Sequence, residues 1–319
     1  MSPLKRAYPV LYIAIVVLVA AGAYTRQLRA DSIYACPANG YTADRYLAYC
    51  QADHYGDYEH GAFWYELEPR IRESLAGAHV LLIGNSRLQW AFSNTAVERW
   101  FESVQARYYL LGFSYYETFG FEERLLRKMQ PQARVYVINL DGFFDIKESV
   151  PAQIIQRDED ARSRYETKRR WQDAHRAVCG RAPWVCGSEY AVYRSQLTGT
   201  WYPIGGHFTS EPTSDDREVD AGFVRQQLAQ ARSFVARLPV NRDCIVLTIV
   251  PTYKTRRASA EAIAAELGLP LISPDSTGLT TFDGSHLERR SAERWASVFL
   301  EQAGPRIRQC LGPTGRDAS

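Results

Sequence analysis

Two short motifs in the sequence could supply a nucleophilic serine site. Ser86 lies in Gly84–Arg87, directly after the apolar run His79–Ile83, and Asp283 and His286 share a second motif near the C-terminus. A serine attacks a carbonyl carbon when a neighbouring base takes its proton, and a histidine beside a carboxylate is such a base. These residue types therefore indicate acyl-transfer or ester chemistry.

Each motif also has an ordinary structural explanation. Ser86 could be a turn or N-cap residue, and Ser285–Glu288 matches a capping box with Asp283 as a turn residue. That explanation does not account for His286, because a helix start disfavours a cation. Ser86 does not lie in a Gly-x-Ser-x-Gly sequence, so a nucleophile elbow of the α/β-hydrolase type is not indicated.

Alternating strand-like and helix-like segments should bring these motifs together. Five apolar runs read as strands, and helical patterns lie between them, which predicts a doubly wound parallel sheet. The last of the five is the short run Pro270–Ser273. Ligands bind at the carboxyl ends of parallel strands, so the residues that follow strands should converge at one edge. These residues are Ser86, Gly112, Asn139, Asp141, Asp283 and His286.

The alternation stops in an aromatic-rich stretch, residues 144–216, which we interpret as an insertion within a catalytic domain over residues 76–319. Residues 26–75 form a polar and aromatic N-terminal extension. We expect some aromatic side chains of the insertion to line a groove that leads to the serine, although they could instead form the insertion's own small core. These side chains are Trp171, Trp184, Trp201 and Tyr202.

The N-terminal residues 1–25 resemble an export device. Lys5 and Arg6 precede an uncharged apolar run, which predicts a single-pass helix with its N-terminus in the cytoplasm. A cleaved signal peptide is the alternative, because Ala21–Ala23 fits a small-residue cleavage site. The first interpretation places the protein in the inner membrane, with its catalytic domain on the periplasmic side.

The six cysteines all follow this apolar run, and their even number predicts three disulfides in an oxidising compartment. None has C-x-x-C spacing, so no metal site is predicted. The closest two enclose a short loop. Cys244 begins a strand and so lies at the amino edge of the sheet. The closing helix runs back from the active-site edge, so Cys310 should reach the same edge. The predicted pairs are therefore Cys36–Cys50, Cys179–Cys186 and Cys244–Cys310.

The charge balance restricts the class of partner. A formal net charge of +2 argues against nucleic acid as the main partner. The basic run Lys168–Arg170 is short and is better explained as a solvated helix face. No cofactor is predicted.

From about His79 to Gln302 the motifs resemble the SGNH/GDSL hydrolase superfamily, with its flavodoxin-like fold. By this resemblance Ser86 would be the nucleophile, His286 the general base and Asp283 its orienting acid. The oxyanion hole would use the backbone N–H groups of Ser86 and Gly112, with the Asn139 side chain as third donor. Arg87 and Asp141 are candidate substrate-binding residues beside these blocks. The sequence departs from the family pattern at Asn85, where the family has Asp, and in Asn139–Asp141, which replaces Gly-x-Asn-Asp.

A narrower resemblance concerns function. The apolar N-terminus and the motif Phe282–Leu287 resemble those of the membrane-anchored polysaccharide O-acyltransferases. These include alginate O-acetyltransferases and the teichoic-acid D-alanylation protein. This resemblance implies transfer of an acyl group, expected to be acetyl, to or from hydroxyls of a cell-envelope polysaccharide, beside a membrane-bound O-acyltransferase partner. A carbohydrate esterase and a catalytically inactive glycan-binding or scaffold module are the alternatives.

Overall fold

The computed structural model describes residues 8, 11–23, 32–206 and 209–312 of the chain. The strands, in chain order, are β1 (Arg45–Cys50), β2 (Gly56–Asp57), β3 (Val80–Asn85), β4 (Tyr108–Phe113), β5 (Val135–Asn139), β6 (Ala191–Ser195), β7 (Trp201–Ile204), β8 (Glu211–Pro212), β9 (Ile245–Thr248) and β10 (Thr280–Thr281). The α-helices are α1 (Glu59–Trp64), α2 (Ile71–Ala76), α3 (Ser86–Phe92), α4 (Thr95–Ser103), α5 (Phe119–Met129), α6 (Val150–Arg157), α7 (Ala161–Arg181), α8 (Ala221–Arg237), α9 (Arg257–Leu267) and α10 (Arg289–Leu311).

Strands β3, β4, β5 and β9 form a parallel sheet in the order β4-β3-β5-β9. Every residue of these strands is buried, as expected for a sheet covered by helices on both faces. The two faces carry separate apolar clusters, one of which packs β3 and β4 against α3, α4 and α10. In the register Gly84 lies opposite Gly112, and Ile83 lies opposite Ile138. The strand ends therefore meet at one edge, where the site lies.

The predicted five-stranded parallel sheet is wrong in its strand count. Residues 270–273 form no strand, and Leu271 makes only an isolated parallel bridge to Leu247. Pro270 and Pro274 flank this segment, and neither carries an N–H to extend a ladder beyond that bridge.

The prediction of a wholly parallel fold is also wrong, because the molecule has a second sheet that is antiparallel. Its order is β2-β1-β6-β7, so it joins strands of the N-terminal extension to strands of the insertion. In its register Tyr46 lies opposite Arg194, and Tyr193 lies opposite Tyr202. The fold is therefore α/β with a parallel and an antiparallel sheet, and a two-stranded β10–β8 pair lies beside the last motif.

The structure contains the three predicted disulfides. Cys36 pairs with Cys50, Cys179 with Cys186 and Cys244 with Cys310, with Cα–Cα distances of 6.3, 5.9 and 5.7 Å. The last pair joins the start of β9 to the final turn of α10. It therefore fixes the closing helix at the sheet edge opposite the site.

The predicted membrane anchor is wrong. Residue 8 and residues 11–23 are helical. Within the described part of the chain, no helix has both the length and the apolar character that a membrane crossing requires. The single-pass assignment over residues 1–25 and the inner-membrane localisation that depended on it are corrected accordingly. Residues 1–7, 9–10 and 24–25 of that segment lie outside the described residues.

Candidate active site

The structure brings Ser86 and His286 into hydrogen-bond contact. Ser86 is the first residue of α3, directly after β3, and Asn85 caps this helix by accepting from the Arg87 backbone N–H at 3.0 Å. The Ser86 hydroxyl oxygen lies 2.8 Å from His286 Nε2. The strand-to-helix turn therefore points the hydroxyl at a potential base, as nucleophilic catalysis requires.

Asp283 orients His286 through both its backbone and its ring. Asp283 Oδ1 accepts from the backbone N–H groups of Ser285 and His286, at 2.9 and 2.8 Å, and Oδ2 accepts from His286 Nδ1 at 2.7 Å. Partial burial by itself would raise the pKa of Asp283, but these hydrogen bonds lower it below its usual value. The carboxylate is thus held ionised in the position that stabilises an imidazolium.

The rings beside His286 restrict its movement. Phe282 stacks on the imidazole with centroids 5.5 Å apart and planes 18° apart, and Trp90 meets Phe282 edge-on at 4.6 Å. His286 precedes α10 rather than starting it, because Glu288 is the N-cap residue and Leu287 bridges to Thr281. The alternative explanation of Ser285–Glu288 as a capping box is therefore not supported.

Arg87 connects the serine motif with the other two blocks. Its Nε donates to Ser285 Oγ at 2.8 Å, and its Nη1 makes an ion pair with Asp141 Oδ2. Asn85 Nδ2 also donates to the Asp141 carbonyl at 2.9 Å. Arg87 and Asp141, expected from the sequence to bind substrate, are thus engaged with each other.

The expected oxyanion donors occupy different environments. Ser86, as the first residue of α3, has a backbone N–H without an intrahelical acceptor. Gly112 lies inside β4, and its carbonyl accepts from the Gln89 side chain at 2.9 Å. Asn139 Oδ1 accepts from the Val250 N–H at 3.1 Å, and its buried Nδ2 has no partner among the described residues. Nδ2 is thus the atom of Asn139 that remains able to donate.

A cavity of about 260 Å³ opens over the Ser86 hydroxyl. Its wall is mainly aromatic, and Ser86, Asp283 and His286 also belong to it. We call this the aromatic cavity; it is lined by Tyr49, Ser86, Trp90, Ser114, Tyr115, Tyr116, Tyr190, Val192, Trp201, Phe282, Asp283 and His286.

Of the four insertion aromatics expected near the serine, Trp201 lines this cavity. Trp171, on α7, and Trp184, beyond its end, are exposed and do not line it. Tyr202 points elsewhere, because its hydroxyl donates to Glu98 and the Arg45 guanidinium lies over its ring.

Four tyrosines of the cavity wall were not predicted from the sequence. Tyr49 comes from β1 and Tyr190 directly precedes β6, so only the antiparallel pairing of these strands brings both rings to the site. Tyr115 and Tyr116 follow β4. The direct Tyr-Tyr succession after a predicted strand at the active edge was the one available signal.

Glu59 anchors two parts of the cavity wall from behind. This fully buried carboxylate accepts from the Ser114 backbone N–H at 3.0 Å and from Trp201 Nε1 at 3.1 Å. It also pairs with the buried Arg194 guanidinium at 2.8 Å. Each charge therefore has a partner of opposite sign, and Arg194 Nε is the guanidinium nitrogen that finds no hydrogen-bond partner among the described residues.

His60 fastens the loop that carries Tyr115 and Tyr116. Its Nδ1 and Nε2 lie 2.8 Å from carboxylate oxygens of Asp57 and Glu117. Burial by itself would lower the pKa of His60, but the two carboxylates raise it to about 10. A buried imidazolium therefore ties the N-terminal extension to the segment before α5.

Among the described residues, two clusters have the residue types of a metal site, and in both the ligand atoms are already engaged. Asp57, Glu59 and His60 lie close together, but each is already engaged in the contacts above. The second cluster contains Cys179 and Cys186, which are joined in a disulfide.

Comparisons with protein families, curated proteins and solved structures find no match to this chain. The class of the protein is therefore defined by what its fold and site show. It is an α/β protein with a serine, a histidine and an aspartate in hydrogen-bonded series at the carboxyl edge of a parallel sheet.

Proposed function

We propose that the protein is a serine-dependent acyltransferase that works through an acyl-serine intermediate. One observation carries the proposal: Ser86 Oγ lies 2.8 Å from His286 Nε2, and His286 Nδ1 lies 2.7 Å from Asp283. This series matches the nucleophile, base and orienting acid of serine acyl transfer. Ser86 also faces a cavity that can hold an ester.

The geometry supports the following sequence of steps. His286 takes the proton of Ser86 as the serine oxygen attacks the acyl donor, and Asp283 stabilises the resulting imidazolium. The Ser86 N–H at the start of α3 is a donor for the tetrahedral oxyanion, and each such donor contributes about 100- to 1000-fold to the rate. The protonated His286 then gives its proton to the leaving group.

The acceptor decides between a transferase and an esterase. We propose a hydroxyl of a cell-envelope polysaccharide, because exposed amphipathic rings near Ser86, Tyr116 above all, suit a sugar better than water alone. The acyl group, expected to be acetyl, would come from a partner of the membrane-bound O-acyltransferase class. The three disulfides suit an oxidising environment.

Labelling with a fluorophosphonate probe tests the nucleophile. We expect the wild-type protein to be labelled and Ser86→Ala to be unlabelled, with labelling of His286→Ala at least about 100-fold slower. Ser297→Ala, which removes a hydroxyl on α10 that bonds to the Glu293 carbonyl, is the matched control and should label like the wild type.

Absence of labelling in the wild type would contradict the proposal and favour a binding or scaffold module. Equal labelling of Ser86→Ala would show that another residue is the nucleophile. A burst of nitrophenol from 4-nitrophenyl acetate, with stoichiometry near one per chain, would further support an acyl-enzyme.

A further inference from the structure

A second cavity, of about 430 Å³, adjoins the aromatic cavity. Tyr116 lines both, and Asn85 and Arg87, the two chain neighbours of Ser86, line the second. We call it the polar cleft. An acyl-serine formed at Ser86 would therefore lie at the junction of two cavities.

The polar cleft differs from the aromatic cavity in its chemistry. Three basic and two acidic side chains line it without forming an ion pair with any described residue: Lys147, Lys254, Arg256, Asp145 and Asp216. Arg87 and Asp141, which also line it, neutralise each other. Donors and acceptors thus stand side by side in the wall. A sugar hydroxyl both donates and accepts, so such a mixed wall fits a polyhydroxylated ligand.

Two exposed tyrosine rings also line the cleft. Tyr116 is 75% exposed and Tyr253 is 55% exposed. The Tyr253 N–H donates to the Gly284 carbonyl at 2.9 Å, and a Cβ placed on Gly284 would lie 3.4 Å from the Tyr253 ring. That ring therefore sits against the loop that holds His286. Rigid aromatic faces beside polar groups supply contact area at a small cost in side-chain entropy.

The backbone around Tyr116 is held in a costly conformation. Tyr115 has φ 59° and Tyr116 has φ 53°, in the left-handed region that non-glycine residues rarely adopt. Such strain persists where the surroundings over-determine it, and it concentrates at functional sites. Here Glu59 binds the Ser114 N–H on one side and His60 binds Glu117 on the other. Buried groups thus hold the exposed Tyr116 ring in place.

We propose that the polar cleft is the acceptor subsite for a carbohydrate and that the aromatic cavity takes the acyl donor. This assignment rests on the proposed acyl-serine chemistry. A sugar hydroxyl in the cleft attacks the carbonyl carbon of acyl-Ser86 as His286 takes its proton. The bond from carbonyl carbon to Ser86 Oγ breaks, His286 returns the proton to that oxygen, and a sugar ester and free serine result.

The test compares transfer with hydrolysis in the whole protein. The donor is 4-nitrophenyl acetate, and the acceptors are cellohexaose, hexagalacturonate and hexaglucosamine, which are neutral, acidic and basic. Mass spectrometry measures the ratio of acetylated hexasaccharide to free acetate. We expect the wild type to acetylate at least one of the three, and the charge of the best acceptor then shows whether the basic or the acidic side chains of the cleft contribute more to binding.

The variants identify the stacking rings. Tyr116→Ala and Tyr253→Ala should each lower the ratio of transfer to hydrolysis about 10-fold, which corresponds to the loss of one aromatic contact. Tyr116→Phe and Tyr253→Phe keep the ring and should stay within about twofold of the wild type. Ile146→Ala removes a side chain that is 67% exposed and lines neither cavity, and it serves as the control.

Failure of the acceptor subsite and failure of the acyl-serine chemistry would give different results. A nitrophenol burst that depends on Ser86 without acetylation of any hexasaccharide would overturn the acceptor subsite and leave the acyl-serine chemistry standing. Alanine variants that lose hydrolysis and transfer equally would show that the two rings only support the loops, which also overturns it. Absence of both burst and fluorophosphonate labelling would remove the proposed function, and the subsite with it.

Discussion

Arg87 Nε lies 2.8 Å from Ser285 Oγ, although 198 residues separate them in the sequence. Each is the immediate neighbour of a member of the proposed catalytic pair, since Arg87 follows Ser86 and Ser285 precedes His286. The same guanidinium also forms an ion pair with Asp141 after β5. One side chain therefore links three strand ends, and it sets the spacing between the nucleophile and its base.

Removal of this link should slow the chemistry without unfolding the protein. We expect Arg87→Ala to lower kcat for 4-nitrophenyl acetate by ~10- to 100-fold, because small misplacements of reacting groups are costly. Arg87→Lys should recover little of the lost kcat, since an ammonium does not reproduce the planar guanidinium that reaches both partners. Circular dichroism provides the fold control. Wild-type kcat in Arg87→Ala would show that other contacts hold Ser86 and His286 at their spacing.

Ser86 and His286 should behave as one unit. Ser86→Ala and His286→Ala should each lower kcat at least ~1000-fold, and the double variant should be hardly slower than either single one. The reason is that neither group accelerates the reaction without the other. Multiplicative losses in the double variant, measured with the same ester, would contradict a shared proton transfer.

The convergence of the blocks at Ser86, Gly112 and Asn139 followed from the rule that parallel strands end at one edge, whereas the strand predicted before Asp283 and His286 does not form. That rule needs only the order of apolar runs and the position of Ser86 relative to β3. The aromatic wall could not be predicted in the same way. Tyr49 and Tyr190 meet through antiparallel pairing of two strands about 140 residues apart, and neither strand carries a local signal for its partner. Long-range pairing of this kind depends on packing, which residue patterns do not encode.

The first residue of a helix was also difficult to predict from the sequence. At the start of α4 two adjacent residues, Asn94 and Thr95, could cap the helix, and the structure uses Asn94, whose side chain accepts from the N–H groups of Ala96 and Val97. Both residues are good N-caps, so propensity alone did not separate them. Tertiary contact did, because Thr95 Oγ1 instead donates to Glu293 on α10.

Because of the ion pairs of buried His60, the folded protein should lose stability as the pH rises into the alkaline range. The pKa of His60 is about 10 in the folded protein and ~6.5 when unfolded, so its ion pairs stabilise fully below pH ~6.5 and are lost as pH rises through about 10. Asp57 and Glu117 contact its ring, Tyr165 and Ser149 donate to these two carboxylates, and the Phe113 and Phe121 rings pack beside it.

Urea unfolding of wild type and His60→Gln between pH 6 and 10 measures this contribution. The advantage of the wild type should shrink with rising pH, by at most ~1.4 kcal/mol per pH unit. Subtraction of the variant removes the titration of groups common to both proteins. A difference that stays constant across this range would contradict a charged His60.

The disulfides should differ in their contributions to stability. Cys244–Cys310 closes 66 residues, whereas Cys179–Cys186 closes 7. Constraint of the unfolded chain predicts losses of ~4 and ~2.5 kcal/mol when each pair is replaced by alanines. Urea unfolding of the two double variants provides the comparison. Equal losses would indicate that native contacts, rather than loop length, determine the contribution.

The left-handed backbone at Tyr116 predicts an unusual order of stability. Tyr116→Gly should be more stable than Tyr116→Ala by ~1 kcal/mol, because glycine adopts φ 53° without the steric cost that a Cβ brings. Ile146, exposed and without a positive φ, provides the matched pair. There the alanine variant should be the more stable, since glycine increases the entropy of the unfolded chain. Urea unfolding of the four variants tests both orders. If alanine were also the more stable at position 116, the Tyr116 loop would not be strained in solution, and the buried contacts of Glu59 and His60 would not be holding its ring against a conformational cost.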